Sequence, residues 1–261
     1  MARARRDRDS ERRMSLGEHL LELRRRLFIS AIAIAVAMVA GYLLSDWIWD
    51  ALRTPMYALA KSHDAKINYT NITQAFDLKL RISFTAGLVL SAPVWLYQVW
   101  AFIVPGLTRK ERQYGFGFFF AAVPLFFAGC ASGWYVWPHI VELMVGFAPK
   151  QDSVFLNASD YLDFVLKLIL IVGVAFVLPV FLVLLNFVGV LPGVSILKSW
   201  RVAILTIVLF TAVATPAADV ISMFLLAIPM VLLYVAAAGI AVLHDRRVAR
   251  RTDALAAGYA S

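Results

Sequence analysis

Ten consecutive residues, Glu18-His19-Leu20-Leu21-Glu22-Leu23-Arg24-Arg25-Arg26-Leu27, hold two carboxylates and three guanidiniums, and an apolar run from Leu27 to Leu44 follows at once. A few flanking cations suffice to orient a membrane helix, and carboxylates in the same place add nothing to that. Glu22 therefore calls for a cationic partner at the membrane surface. A second segment, Thr108-Arg109-Lys110-Glu111-Arg112, repeats the arrangement with one carboxylate among cations. Alone, Glu111 reads as a solvated loop charge balancing its neighbours, worth about 0–1 kcal/mol. Two such carboxylates, on segments that a short helical hairpin can bring together, read instead as a binding site.

Other reactive side chains suggest no chemistry. Cys130 is the only cysteine, so no intrachain disulfide exists, and a lone thiol within an apolar run is a small packing residue. His19, His63, His139 and His244 are scattered along the chain with no metal-site spacing. There is no His-Glu-x-x-His motif, no paired intramembrane aspartate and no phosphate-binding loop, so neither an enzyme nor a cofactor is expected. Asp163 and Lys167 are four apart and can pair along one helix face. Asp77, Lys79 and Arg81 read as end-of-helix snorkelling or mutual pairing rather than an ion path. Asn68, Asn71 and Asn157 stand in glycosylation-type triplets that carry no weight by themselves.

The elements that must hold these residues are membrane helices. The chain is 61% hydrophobic and only 16% charged, with a mean hydropathy of +0.76; a soluble domain carries about 25% charge. Six apolar runs stand out: Leu27–Leu44, Ile82–Val104, Gly115–Val136, Phe164–Val188, Val202–Ala214 and Ile221–Leu243. Most satisfy the roughly 20 residues that a ~30 Å hydrocarbon core requires. Their continuous apolarity excludes a β-barrel, whose strands alternate. The exception is Val202–Ala214, whose 13 residues rise only about 20 Å. It implies a thinned bilayer edge or a partner helix.

Cations set the orientation. Of 25 Lys and Arg, 18 lie in residues 1–26, 107–114, 195–201 and after His244, all on one side of a six-span model. The positive-inside rule makes that side cytoplasmic, with both termini there. The fold expected is an all-α integral membrane protein of six transmembrane helices, kinked at Pro93, Pro124, Pro179 and Pro229 into a concave bundle. Residues 1–14 form a disordered basic tail, 15–245 the membrane domain and 246–261 a cytoplasmic tail. The two long external connections, Ser45–Arg81 and Pro138–Asp163, would form a cap, with Thr54-Pro55-Met56 separating one short helix from the next.

Several segments together resemble the TatC subunit of the twin-arginine protein translocase. They are Glu18 to Arg26, the block Leu90-Ser91-Ala92-Pro93-Val94-Trp95-Leu96-Tyr97-Gln98-Val99-Trp100-Ala101-Phe102-Ile103-Val104-Pro105-Gly106-Leu107, and Arg109-Lys110-Glu111-Arg112. Thr215-Pro216 with nearby Asp219, and Leu226-Ala227-Ile228-Pro229-Met230, complete a match over roughly residues 14–245. The resemblance implies a receptor for twin-arginine signal peptides of folded proteins, exported across the bacterial cytoplasmic membrane by the proton-motive force. Glu22 and Glu111 would bind the arginine pair, helped by Arg24, Phe102 and His19. Guanidinium is planar, always charged and matches a carboxylate bidentately, so Lys is a poor substitute. Pro55 would lie in the external cap, and Thr215 and Asp219 where TatA- or TatB-like single-span partners dock. A homo-oligomer within a larger complex is implied, in the lipid bilayer and with no nucleic acid. Two positions depart from the family pattern: Val177 and Val235 stand where a polar side chain is usual.

A secondary transporter or channel for a small solute is the alternative. It requires ionisable groups converging near the midplane and paired half-helices, whereas the spans offer only Ser91, Ser132, Thr206 and Thr211.

Overall fold

The computed structural model describes residues 16–63, 66–103, 109–146, 155–214 and 220–260. The expected tail, residues 1–14, lies outside them. Eight helices and two three-residue strands make up the described chain: α1 (Leu16–His63), β1 (Lys66–Asn68), α2 (Gln74–Leu90), α3 (Ala92–Ile103), α4 (Arg109–Gly146), β2 (Phe155–Asn157), α5 (Ala158–Phe187), α6 (Gly193–Lys198), α7 (Trp200–Ala214) and α8 (Val220–Ala260). Four helices are long and apolar enough to cross a membrane, and α2 with α3 supplies a fifth crossing if that bent pair counts as one. The apolar α7 has 15 residues, rising about 22 Å, which is short of a ~30 Å core.

The second expected span is two helices rather than one. They meet at Ser91 with a bend of 55°, because Pro93 has no N–H to return to the carbonyl of residue 89 and its ring crowds the preceding turn. The freed end of α2 is capped locally: Trp95 Nε1 donates to the Leu88 carbonyl at 3.0 Å, and Ser91 Oγ donates to it at 3.3 Å. The other prolines behave differently. The helices run on through Pro124 and Pro138 in α4, Pro179 in α5 and Pro229 in α8.

The expected break at Thr54-Pro55-Met56 is absent, since α1 continues through Pro55. Pro55 has no N–H to return to the Ala51 carbonyl, and a neighbour steadies the same turn at the next residue. Tyr161 of α5 donates its hydroxyl to the Leu52 carbonyl at 2.6 Å, the kind of compensation that lets membrane helices keep a proline. The last helix extends to Ala260.

Helix contacts are made close by glycine. A Cβ built on Gly41 of α1 would stand 2.5 Å from the Ser83 carbonyl oxygen of α2, and one on Gly129 of α4 would stand 2.8 Å from Gly173 Cα of α5. Small residues at crossings let backbones approach where lipid supplies no hydrophobic drive. The core between these helices contains Leu52, Phe126, Trp137, Ile140, Leu162, Val172 and Leu226, all essentially inaccessible. Cys130 is a free, buried packing residue there.

The two long connections are joined. β1 pairs in parallel with β2, Lys66 opposite Phe155 and Asn68 opposite Asn157. Below the ladder, Asn157 caps α5 by accepting from the Ser159 N–H at 2.9 Å. The buried Gln74 amide donates to Asn157 Oδ1 at 2.8 Å and to Ser159 Oγ at 2.7 Å, while its oxygen accepts from the Thr70 N–H at 2.5 Å. Asn157 thus has a structural task that its glycosylation-type triplet did not suggest.

Candidate functional site

Helical spacing prepares the site. His19, Glu22 and Arg26 recur at three- and four-residue intervals on α1 and therefore share a face, as do Gln98 and Phe102 on α3. The bend at Ser91 gives α3 its own direction, and the structure brings the two faces together. The rings of His19 and Phe102 stack, with centroids 4.3 Å apart and planes at 29°. Two turns further along α1, Arg26 Nη1 donates to Gln98 Oε1 at 3.2 Å.

Glu22 sits between these two contacts along α1. Its Oε1 lies 2.5 Å from Arg26 Nη2 in an ion pair, and the side chains are 25% and 21% exposed respectively. Both charges are thus partly withdrawn from water, which makes their interaction stronger than that of a surface pair. No second contact to Glu22 exists among the described residues, so one carboxylate oxygen is left for a further donor. A stacked ring pair beside a half-buried carboxylate suits a flat cation, which can stack and form parallel hydrogen bonds at once.

The other expected site residues fall differently. Arg24 is exposed; two positions beyond Glu22, it is turned about 200° round the helix from it. Glu111 lies in the first turn of α4, and its side chain is outside the described residues. Pro55 is near the far end of α1, beside the contact between Leu52 and Tyr161. Thr215 and Asp219 lie outside the described residues. Val177 is buried in the main core, and Val235 is on an exposed face of α8.

Sequence reasoning assigned no role to Arg26 or Gln98. Their signal was present, Arg26 four residues after Glu22 and Gln98 four before Phe102, but only the α1–α3 contact makes it meaningful. Two other polar clusters were also missed. Arg81 joins α2 to α5 through Asp163, and Asp245 of α8 accepts from Asn186 Nδ2 at 2.9 Å and from the Gly193 N–H at 2.6 Å. Among the described residues no group of three His, Cys, Asp or Glu could hold a metal. The buried polar side chains described are Ser45, Gln74, Ser83, Ser91, Asn186 and Thr211, none of which ionises. They provide no midplane ion pathway.

The family model described as Sec-independent protein translocase protein (TatC) matches residues 18–229. A protein of Xylanimonas cellulosilytica named Sec-independent protein translocase protein TatC is 44% identical over 248 residues, covering 94% of this chain and 90% of that protein. A chloroplastic TATC protein of Arabidopsis thaliana is 33% identical, covering 90% and 68% of the two chains. A crystal structure described as the twin arginine translocase receptor TatC superposes with a TM-score of 0.71 at 29% identity, covering 87% of this chain and 99% of the other.

Proposed function

This chain belongs to the TatC family of Sec-independent protein translocases, and from that premise we propose that the α1–α3 face receives the consecutive arginines of signal peptides. The chain is a multi-pass membrane component of a translocase rather than an enzyme. One arginine of the pair would engage the open oxygen of Glu22 and stack near His19 and Phe102. The other would be held by Glu111, with Arg24 at the margin of the site. The observation that supports this reading most is the half-buried Glu22 carboxylate beside the stacked His19 and Phe102 rings.

In this reading six spans cross the bacterial cytoplasmic membrane, with α7 as the short fifth and both termini in the cytoplasm. The paired connections around β1 and β2, with Pro55 nearby, would form the external cap. Single-span TatA- or TatB-like partners would gather at the short α7 and the segment with Thr215 and Asp219. Folded cargo would then cross through the assembled complex, driven by the proton-motive force.

The test places the purified chain in energised liposomes with a folded cargo bearing an Arg-Arg signal peptide. Binding without passage is the expected result, with passage appearing only when partner subunits are added. Glu22→Ala and Glu111→Ala should each weaken binding by about 1–3 kcal/mol, between an exposed pair and a fully desolvated one. Replacing Arg-Arg by Lys-Lys should also weaken it. Unchanged binding in the Glu22→Ala, Glu111→Ala double variant at low salt would reject the site, and passage through the chain alone would reject the need for partners.

A further inference from the structure

We propose that Arg26 is an internal occupant of the Glu22 site, a guanidinium of the chain itself that an incoming guanidinium, having met the open oxygen, must displace to engage both carboxylate oxygens. This rests on the receptor reading above and adds a resting state to it. In the structure Glu22 is already paired, through Oε1 and Arg26 Nη2. The pair is i, i+4 with the acid on the N-terminal side, the favourable order on a helix. Every arriving cation therefore meets a competitor that is always present and correctly placed.

The internal pair is also imperfect, which is what makes it displaceable. Arg26 approaches Glu22 through Nη2 and Oε1, and no parallel fork of hydrogen bonds joins the two among the described residues. Its Nε is buried and meets no acceptor among the described residues. A ligand guanidinium free to approach Glu22 head-on can make both parallel hydrogen bonds, the stronger arrangement. Arg26 need not return to water when it yields, because Gln98 Oε1 already accepts from its other terminal nitrogen. Gln98 thus acts as a holding point on α3 for the displaced side chain.

A consequence for selectivity follows from the shared resting state. Breaking the Glu22–Arg26 pair is a cost common to all ligands, so it lowers their affinities by one factor and leaves the Arg-to-Lys ratio unchanged. Arg26 sets a threshold that a lone, poorly matched cation does not clear, while discrimination stays with the geometry of Glu22.

The experiment measures Kd for Arg-Arg and Lys-Lys signal peptides on the full-length detergent-solubilised chain, comparing wild type with Arg26→Gln, Arg26→Lys, Arg25→Gln and Glu22→Gln. Arg26→Gln should tighten both peptides by the same factor, roughly two- to fivefold, as expected for a partly exposed pair. Arg26→Lys keeps the charge but cannot fork between Glu22 and Gln98, and should fall between Arg26→Gln and wild type. Arg25→Gln removes an exposed neighbouring charge and should produce less tightening than Arg26→Gln. Weaker binding by Arg26→Gln would overturn the proposal, since it would make Arg26 a support for Glu22. An equal gain from Arg25→Gln would overturn it too, by reducing the effect to general repulsion. No effect of Glu22→Gln on the Arg-Arg peptide marks failure of the receptor reading itself.

Discussion

Arg81 spreads its guanidinium between two helices. Nη2 lies 2.8 Å from Asp77 Oδ2 on its own α2, while Nη1 lies 2.6 Å from both carboxylate oxygens of Asp163 on α5. Lys167, the sequence-expected partner of Asp163, is more distant at 3.9 Å and is 72% exposed. Arg81 is therefore the dominant partner, and the pair ties elements far apart in sequence. Asp163→Ala should destabilise the protein by about 1–3 kcal/mol, less than the 3–5 typical when a fully buried pair is broken, because Asp77 remains to hold Arg81. Thermal unfolding in detergent of Asp163→Ala, Arg81→Met and the double variant should give a coupling above about 0.5 kcal/mol. Additive losses would mean that the two charges are screened from each other.

At the level of elements, the α4–α5 crossing depends on the absence of a side chain. A Cβ on Gly129 would meet the Val172 carbonyl oxygen and Gly173 Cα, both at 2.8 Å. These are backbone atoms that cannot swing aside, so α4 and α5 would have to separate along a closely packed contact. Gly239 on α8 has nothing within 4 Å of its would-be Cβ. Opposite signs are expected for the same change. Gly239→Ala should gain up to about 1 kcal/mol from helix propensity, whereas Gly129→Ala should lose about 1–3 kcal/mol from overpacking. Melting temperatures of the two purified variants measure this directly. A Gly129→Ala protein as stable as wild type would show that the crossing is looser than its geometry indicates.

At the scale of the whole molecule, the outward faces of the described helices are apolar. Val36, Val39 and Leu43 on α1, Leu205, Leu209 and Val213 on α7, and Ile228, Leu232 and Val235 on α8 all face outward. One groove is lined by Phe118, Leu125, Pro179, Leu184 and Leu233 among other apolar residues, with a volume of about 410 Å³. A water-filled passage needs polar walls, and a folded protein is far larger than this groove. These outward faces suit lipid or other helices, which is the physical ground for the proposal that transport needs the assembled complex.

Membrane residence was legible from sequence alone, because long apolar runs leave a helix as the way to satisfy backbone groups in lipid. The sequence also singled out Glu22, since a carboxylate among orienting cations has no topological use. Three features depended on tertiary structure. Pro55 and Pro93 carry the same local penalty, yet α1 continues and α2–α3 bends, because Tyr161 supports the turn before Pro55 while Trp95 and Ser91 cap the end of α2. Glu22 looked like an isolated charge, but its partner Arg26 and their neighbour Gln98 gain meaning only where α1 crosses α3. The pairing of Arg81 with Asp163 spans 82 residues. Spacing along a chain reports which residues share one helix face, and only the packing of helices decides which faces meet.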